Sequence, residues 1–112
     1  MIYILNTLIV PIDFDKYPSV VVKLSKITVD EAKSLLRSDS YMSAIGHEAT
    51  AQFLSLLLGK PIRHNRISVF MKPGDIGLHL FLKTRLPEGK ILSLDEIQNY
   101  DYNLIKSEVI QT

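Results

Sequence analysis

One short stretch of the chain combines a histidine with the start of a helix. The segment Ser43–Thr50 reads SAIGHEAT, and its Gly46-His47 pair stands directly before an apolar pattern of helical spacing. A helix N-terminus offers unpaired N–H groups and a partial positive charge, which together suit a phosphate. Gly46 would let a ligand approach the backbone closely, and Thr50 lies one turn further on. Since a bound phosphate favours imidazolium, the pattern indicates a phosphate site in which His47 becomes an acid when substrate arrives.

The same histidine also has simpler interpretations. A polar residue near a helix start is more often just hydrogen-bonded to the backbone. The pair His47-Glu48 begins like the zinc-protease motif H-E-x-x-H, but Ala51 stands where the second histidine is required. A metal site made from His47, His64 and His79 would need a long-range convergence that the sequence does not predict. We therefore expect no metal ion and no other cofactor.

Polar residues elsewhere gain interest from their placement. Asn6 ends the first apolar run, Arg66 follows Asn65 at the start of another, and the segment RLPEGK contributes Arg85 and Glu88. Taken singly, Asn6 is equally well a turn residue, the two arginines are more often surface cations, and Glu88 is by default a solvated carboxylate.

Composition limits the classes of function. A chain of 112 residues suffices for one domain, and its formal charge of +1 argues against gripping long nucleic acid by charge alone. A small anionic ligand in a local positive pocket remains compatible. With no cysteine, disulfides and thiolate chemistry are excluded, which fits an intracellular protein. The apolar opening MIYILNTLIVP is shorter than the roughly 20 residues of a membrane span and lacks a signal-peptide pattern, so it predicts a buried strand and no membrane partner.

The hydrophobic pattern predicts eight elements in the order ββααββαβ. Two helices begin at capping boxes, Thr28 with Glu31 and Ser93 with Glu96, and a third ends at Gly59. The predicted strands are Ile2–Asn6, Ser19–Ile27, Arg66–Lys72, Ile76–Arg85 and Tyr102–Ile110. The predicted class is α/β, one domain over residues 1–112 with a mixed sheet of about five strands flanked by helices.

Two further expectations concern the middle of the chain. The turn Pro73-Gly74-Asp75 predicts that the strands on either side of it form an antiparallel hairpin. The helix Glu48–Leu58 has little polar face, so we expect it to be buried in the core, in a dimer interface, or in both.

Three motifs together point to a known family. SAIGHEAT, Asn65-Arg66 and RLPEGK (85–90) occur in the order and near-identical spacing found in the viral ring nucleases, the type III anti-CRISPR proteins of archaeal viruses and mobile elements. The chain resembles that family over essentially its whole length. The resemblance implies a homodimer whose pocket, on the two-fold axis, binds cyclic tetra-adenylate in the cytoplasm of the infected host cell.

The resemblance also implies a reaction and roles for residues. A ribose 2′-hydroxyl attacks the adjacent phosphorus without a metal ion, leaving linear di-adenylate with a 2′,3′-cyclic phosphate and silencing type III CRISPR defence. His47 matches the general acid, and Arg85 and Glu88 match the supporting catalytic residues. The positions that match ligand contacts or line the pocket are Asn6, Gly46, Thr50 and Arg66.

The chain departs from the family pattern in places. Leu8–Val10 fill a region where members often carry serine, Thr84 replaces a glutamine, and Pro87 replaces an acidic residue. These differences do not affect the positions that match the catalytic residues. They concern the contacts to the ligand and the size of the cyclic oligoadenylate that the pocket prefers. Two alternatives stay open: a non-catalytic dimer that sequesters cyclic oligoadenylate or other nucleic acid, and a structural or host-interaction protein that uses the apolar helix as an interface.

Overall fold

A single five-stranded sheet organises the protein. The computed structural model describes residues 1–37, 40–83, 86 and 92–111. Its elements are β1 (Ile2–Leu5), β2 (Val20–Ile27), α1 (Val29–Leu35), β3 (Tyr41–Ser43), α2 (Glu48–Leu58), β4 (Ile76–Leu82), α3 (Leu94–Ile97) and β5 (Tyr102–Gln111). The strand order is β2-β5-β4-β1-β3. The strands β3, β1 and β4 run parallel, whereas β5 is antiparallel to both its neighbours, so the predicted α/β class with a mixed sheet is confirmed.

The helices share a core with one face of the sheet. Alternate strand residues such as Ile4, Leu78 and Leu104 pack against Phe53 and Leu54 of α2, because successive side chains of a strand point to opposite faces. The burial of α2 confirms that this helix belongs to the core, although its Leu56 is 41% exposed.

The other face of the sheet carries a smaller apolar cluster. The segment 8–18 reaches across this face, where Ile12 forms a single bridge to Met71. The buried members of the cluster are Leu5, Ile12, Ala44, Met71 and Val109.

Local signals placed the helix ends correctly. Thr28 and Glu31 form a reciprocal capping box at the start of α1, as do Ser93 and Glu96 at the start of α3. Gly59 ends α2 with a left-handed backbone at φ 62°, a conformation that glycine adopts at little cost. The starts of α1 and α3 and the end of α2 therefore lie where the sequence predicted, whereas α3 ends at Ile97 and not near Tyr100 as its pattern predicted.

The predicted hairpin is wrong. β4 has β1 on one edge and β5 on the other, so the segment 66–72 finds no free edge to pair with. That segment has no regular strand, and its Phe70 is 64% exposed. The fifth strand is instead β3, which lies between α1 and α2 where the sequence predicted no strand, and it pairs with β1.

Two predicted strand ends also change. β1 stops at Leu5, one residue before Asn6, and β4 stops at Leu82. The predicted continuation of β4 to Arg85 lies outside the described residues.

Among the described helices, none is long and apolar enough to cross a membrane.

Candidate functional site

Polar residues gather where the parallel strands end. Because β1, β3 and β4 run parallel, their carboxyl ends lie at the same edge of the sheet. Asn6 follows β1 directly, and β3 leads through residues 44–47 into α2. Ligands of open α/β sheets bind at this edge, so the fold itself favours a site here.

Asn6 ties the end of β1 to the turn before α2. The backbone N–H of Gly46 donates to Asn6 Oδ1 at 3.3 Å. Two residues earlier on both segments, the backbone N–H of Ala44 donates to the carbonyl of Ile4 at 2.8 Å. Asn6 is therefore more than a turn residue, since its side chain fixes the glycine that precedes His47.

The Asn65-Arg66 pair is held against the same turn. Asn65 donates its backbone N–H to the carbonyl of Ile45 at 2.9 Å, and its side-chain amide donates to the carbonyl of Ser43 at 2.9 Å. The next side chain, Arg66, passes over Gly46, where a Cβ atom would lie only 3.4 Å from Arg66 Cγ. The exposed arginine therefore lies close to the helix start.

His47 occupies the N-cap position of α2. Its backbone is extended, with φ −124° and ψ 124°, and its side chain makes no capping hydrogen bond. The residue is exposed. The His47 side chain therefore does not cap the helix, which would have been its simplest structural role.

The other predicted site residues are placed less favourably or not at all. Thr50 sits in the first turn of α2 but is only 7% exposed, so little of its surface is open to a ligand. Arg85 and Glu88 lie outside the described residues, and their roles stay predictions. The structure therefore brings together Asn6, Gly46 and Arg66, with His47 adjacent.

A cleft runs along α2 from this helix start. It has a volume of about 430 Å³, and its lining includes Glu48, Gln52 and His64. His64 Nε2 also lies 3.3 Å from the carbonyl oxygen of Gly46. The proximity of His64 to this turn was not predictable from local sequence, because 18 residues separate His64 from Gly46.

In the part of the chain that the structure describes, no three histidine, aspartate or glutamate side chains are grouped to hold a metal ion.

The third histidine is enclosed in a polar pair beneath the end of β1. His79 and Ser107 are both 0% exposed, with His79 Nε2 2.7 Å from Ser107 Oγ and His79 Nδ1 2.9 Å from the carbonyl oxygen of Thr7. Burial lowers the pKa of His79, while the hydrogen bond to Thr7 partly opposes that shift. A serine beside a histidine resembles an activated nucleophile, but substrate cannot reach a pair with no accessible surface.

Gly77 makes room for this pair. A Cβ atom at position 77 would lie 2.6 Å from His79 Nε2 and closer still to Ser107 Oγ. We expect Gly77→Ala to lower the free energy of unfolding by about 1–3 kcal/mol, as overpacking typically does, measured by denaturant unfolding.

A double-mutant cycle identifies the cause of that loss. If the new methyl group collides with the Ser107 hydroxyl, Gly77→Ala and Ser107→Ala together cost less than the sum of the single changes. Strictly additive costs, or a Gly77→Ala protein as stable as the original, would contradict the steric explanation.

Comparison with known proteins places the chain in a family. A family model described as STIV B116-like matches residues 2–104. The chain is 40% identical over 111 residues to uncharacterized protein 26 of Sulfolobus islandicus filamentous virus (isolate Iceland/Hveragerdi), covering 98% of this chain and 92% of that protein. It is 35% identical over 114 residues to uncharacterized protein ORF117 of Acidianus two-tailed virus, covering 99% and 95% of the two chains.

A solved structure shares the fold. B116 of Sulfolobus turreted icosahedral virus matches with a TM-score of 0.79 at 24% identity, covering 96% of this chain and 97% of that one. The predicted relation to small proteins of archaeal viruses is thereby confirmed. The chain belongs to the STIV B116-like family, which includes small proteins of archaeal viruses.

Proposed function

We propose that this protein is a metal-independent ring nuclease that cleaves cyclic tetra-adenylate to linear di-adenylate carrying a 2′,3′-cyclic phosphate. The observation that carries the proposal is the exposed His47 at the start of an 11-residue helix, with a side chain not engaged in capping. The adjacent Gly46 is held by Asn6 and overlain by Arg66. An acid, a cation and unpaired backbone N–H groups thus lie beside one another, which are the groups that a phosphodiester cleavage needs.

The reaction is a transfer within the substrate. The ribose 2′-oxygen bonds to the adjacent phosphorus and releases its proton to solvent water, while the bond from phosphorus to the 5′-oxygen breaks. The departing 5′-oxygen takes a proton from the His47 imidazolium. Because that alkoxide is strongly basic, a positioned acid contributes about 10²–10⁴-fold in rate, or roughly 3–5 kcal/mol of barrier.

The surroundings of His47 suit a negatively charged substrate. Backbone N–H groups of the first turn of α2 point toward the position of a bound phosphate, where the helix end contributes partial positive charge. The guanidinium of Arg66 pairs with phosphate oxygens more strongly than a neutral donor does. A phosphate bound there also favours the protonated form of the imidazole, so substrate helps to charge its own acid.

The remaining parts of the proposal follow from the family resemblance. Arg85 and Glu88 orient the substrate and balance charge at the reacting phosphate. Two copies of the chain form a homodimer, so that two His47 side chains cut two linkages of one ring and release two di-adenylates. The protein acts inside the infected host cell, where destruction of the messenger suppresses type III CRISPR defence.

A cleavage assay separates this function from simple sequestration. The protein, in molar excess, is incubated with cyclic tetra-adenylate in the presence of EDTA. The amount of intact ring is followed by chromatography. We expect the ring to disappear and di-adenylate to form, whereas a His47→Gln protein purified in parallel reports any contaminating nuclease. A ring that is bound but survives would instead identify a non-catalytic sequestering module.

A further inference from the structure

The buried pair His79–Ser107 is connected to the candidate site by the chain itself. His79 lies opposite Leu5 in the register of β4 and β1, and its ring reaches beyond the end of β1 to the Thr7 carbonyl. Thr7 directly follows Asn6, the residue whose side chain accepts from the Gly46 N–H. An unbroken path of hydrogen bonds and peptide units therefore runs from β5 to the residue before His47.

The hydrogen-bond partners determine the protonation of the ring. A backbone carbonyl only accepts hydrogen bonds, so the proton of His79 is on Nδ1 and points at Thr7. In the neutral ring Nε2 is then an acceptor, and the Ser107 hydroxyl donates to it. Since burial lowers the pKa of His79, this neutral, single-tautomer arrangement is the stable one.

The segment that His79 holds has few other anchors. Residues 6–8 form a bend after β1, and Thr7 and Leu8 are exposed. The Thr7 carbonyl accepts a second hydrogen bond from the N–H of Ile9 at 2.9 Å, which only closes a tight local turn. The ring of His79 is therefore the side-chain contact that holds the Thr7 carbonyl against the sheet.

We infer that His79 is a positioning residue for the phosphate site: with Ser107 behind it, it holds the Thr7 carbonyl and so sets where Asn6 places Gly46 and His47. The inference rests on the proposed function for its effect on catalysis, but not for its effect on the Gly46 turn. A small displacement of a catalytic group is costly, since about 1 Å of misplacement can lower a rate on the order of 10²-fold.

Two amide substitutions separate the two contacts of the ring. The side-chain amide of His79→Asn sits where Nδ1 was and can still donate to Thr7, whereas that of His79→Gln sits where Nε2 was and reaches Ser107. Both variants are uncharged and polar, so they differ chiefly in which partner they keep. Val109→Ala is the control for lost packing, because Val109 lies on the same face of β5 and is buried in the neighbouring apolar cluster.

Two readouts test the inference independently. Hydrogen exchange of the Gly46 amide, measured by NMR relative to amides of β5, reports the bond to Asn6 without any substrate. Steady-state cleavage of cyclic tetra-adenylate reports kcat and KM. We expect His79→Gln to speed Gly46 exchange and to lower kcat about 10–100-fold with a smaller change in KM, while His79→Asn and Val109→Ala stay close to the unsubstituted protein.

The outcomes distinguish the inference from the proposed function. If His79→Gln leaves Gly46 exchange unchanged, or if Val109→Ala changes it equally, His79 has only a structural role and the inference is overturned. If the unsubstituted protein fails to cleave the ring, the proposed function fails, and Gly46 exchange still decides the positioning role. Should His79→Gln not fold, Ser107→Ala replaces it, because it removes the donor that holds the ring, and faster Gly46 exchange is again the supporting result.

Discussion

Replacing His47 by alanine is expected to slow cleavage of cyclic tetra-adenylate at least ~100-fold, the lower range for loss of a general acid, while ring binding is retained. The imidazole is exposed and its side chain makes no capping hydrogen bond to α2, so its removal should leave the fold intact. The change should therefore lower the single-turnover rate constant for cleavage and leave the free energy of unfolding almost unchanged. The measurement is a paired determination of the dissociation constant and the cleavage rate.

His47→Gln is the matched control for that experiment. Glutamine can still donate a hydrogen bond to a phosphate oxygen but cannot deliver a proton to the leaving group. Both variants should be slow if His47 is the acid. A His47→Ala protein that loses binding and rate equally, with His47→Gln retaining both, would make His47 an anchor for substrate and contradict the proposed mechanism.

Replacing Arg66 by alanine is expected to weaken ring binding about 10–100-fold. The aliphatic stem of its side chain lies over Gly46, and the residue is exposed. A hydrogen bond to a charged group contributes about 1.5–3 kcal/mol, and 1.4 kcal/mol corresponds to about tenfold in affinity. Titration of the ring into the His47→Ala background measures the effect without cleavage.

Two further variants sharpen the Arg66 experiment. Arg66→Lys keeps the charge but loses the planar guanidinium that matches a phosphate. Its affinity for the ring should therefore lie between that of the protein with Arg66 and that of the Arg66→Ala variant. Lys23→Ala also removes one positive charge, but Lys23 is on the edge strand β2, three strands from β1, and it should leave affinity nearly unchanged. Equal losses from Lys23→Ala and Arg66→Ala would show a general effect of charge and not a specific contact.

The parts of the fold that depend on local chemistry were predictable from the sequence. The capping boxes at Thr28 and Ser93 and the glycine after α2 act over a few residues, so reading the sequence suffices to find them. The hairpin predicted around residues 73–75 is wrong because local sequence does not show which strands pair with the two edges of β4. Only the completed sheet shows that β1 and β5 occupy both edges, and three-residue β3 is too short for periodicity to reveal.

The candidate site was predictable only in its local half. Gly46 and His47 are adjacent in sequence and can be recognised because they directly precede a helical pattern. Asn6 contacts Gly46 although the two residues are 40 positions apart. The role of His79 was not visible at all, since its partners lie 72 and 28 residues away. A histidine and a glycine within an otherwise apolar strand were the available signal, because a polar side chain in a central strand must find a buried partner.

The most direct test of the central claim is the mass of the cleavage product formed in H₂¹⁸O with EDTA present. Attack by the ribose 2′-hydroxyl only rearranges the bonds of the ring, so two cuts predict di-adenylate of half the mass of the ring, without ¹⁸O, at early time points. Attack by water would instead place ¹⁸O on the phosphate of the product. Incorporated ¹⁸O, or a ring that stays intact with protein in excess, would contradict the account.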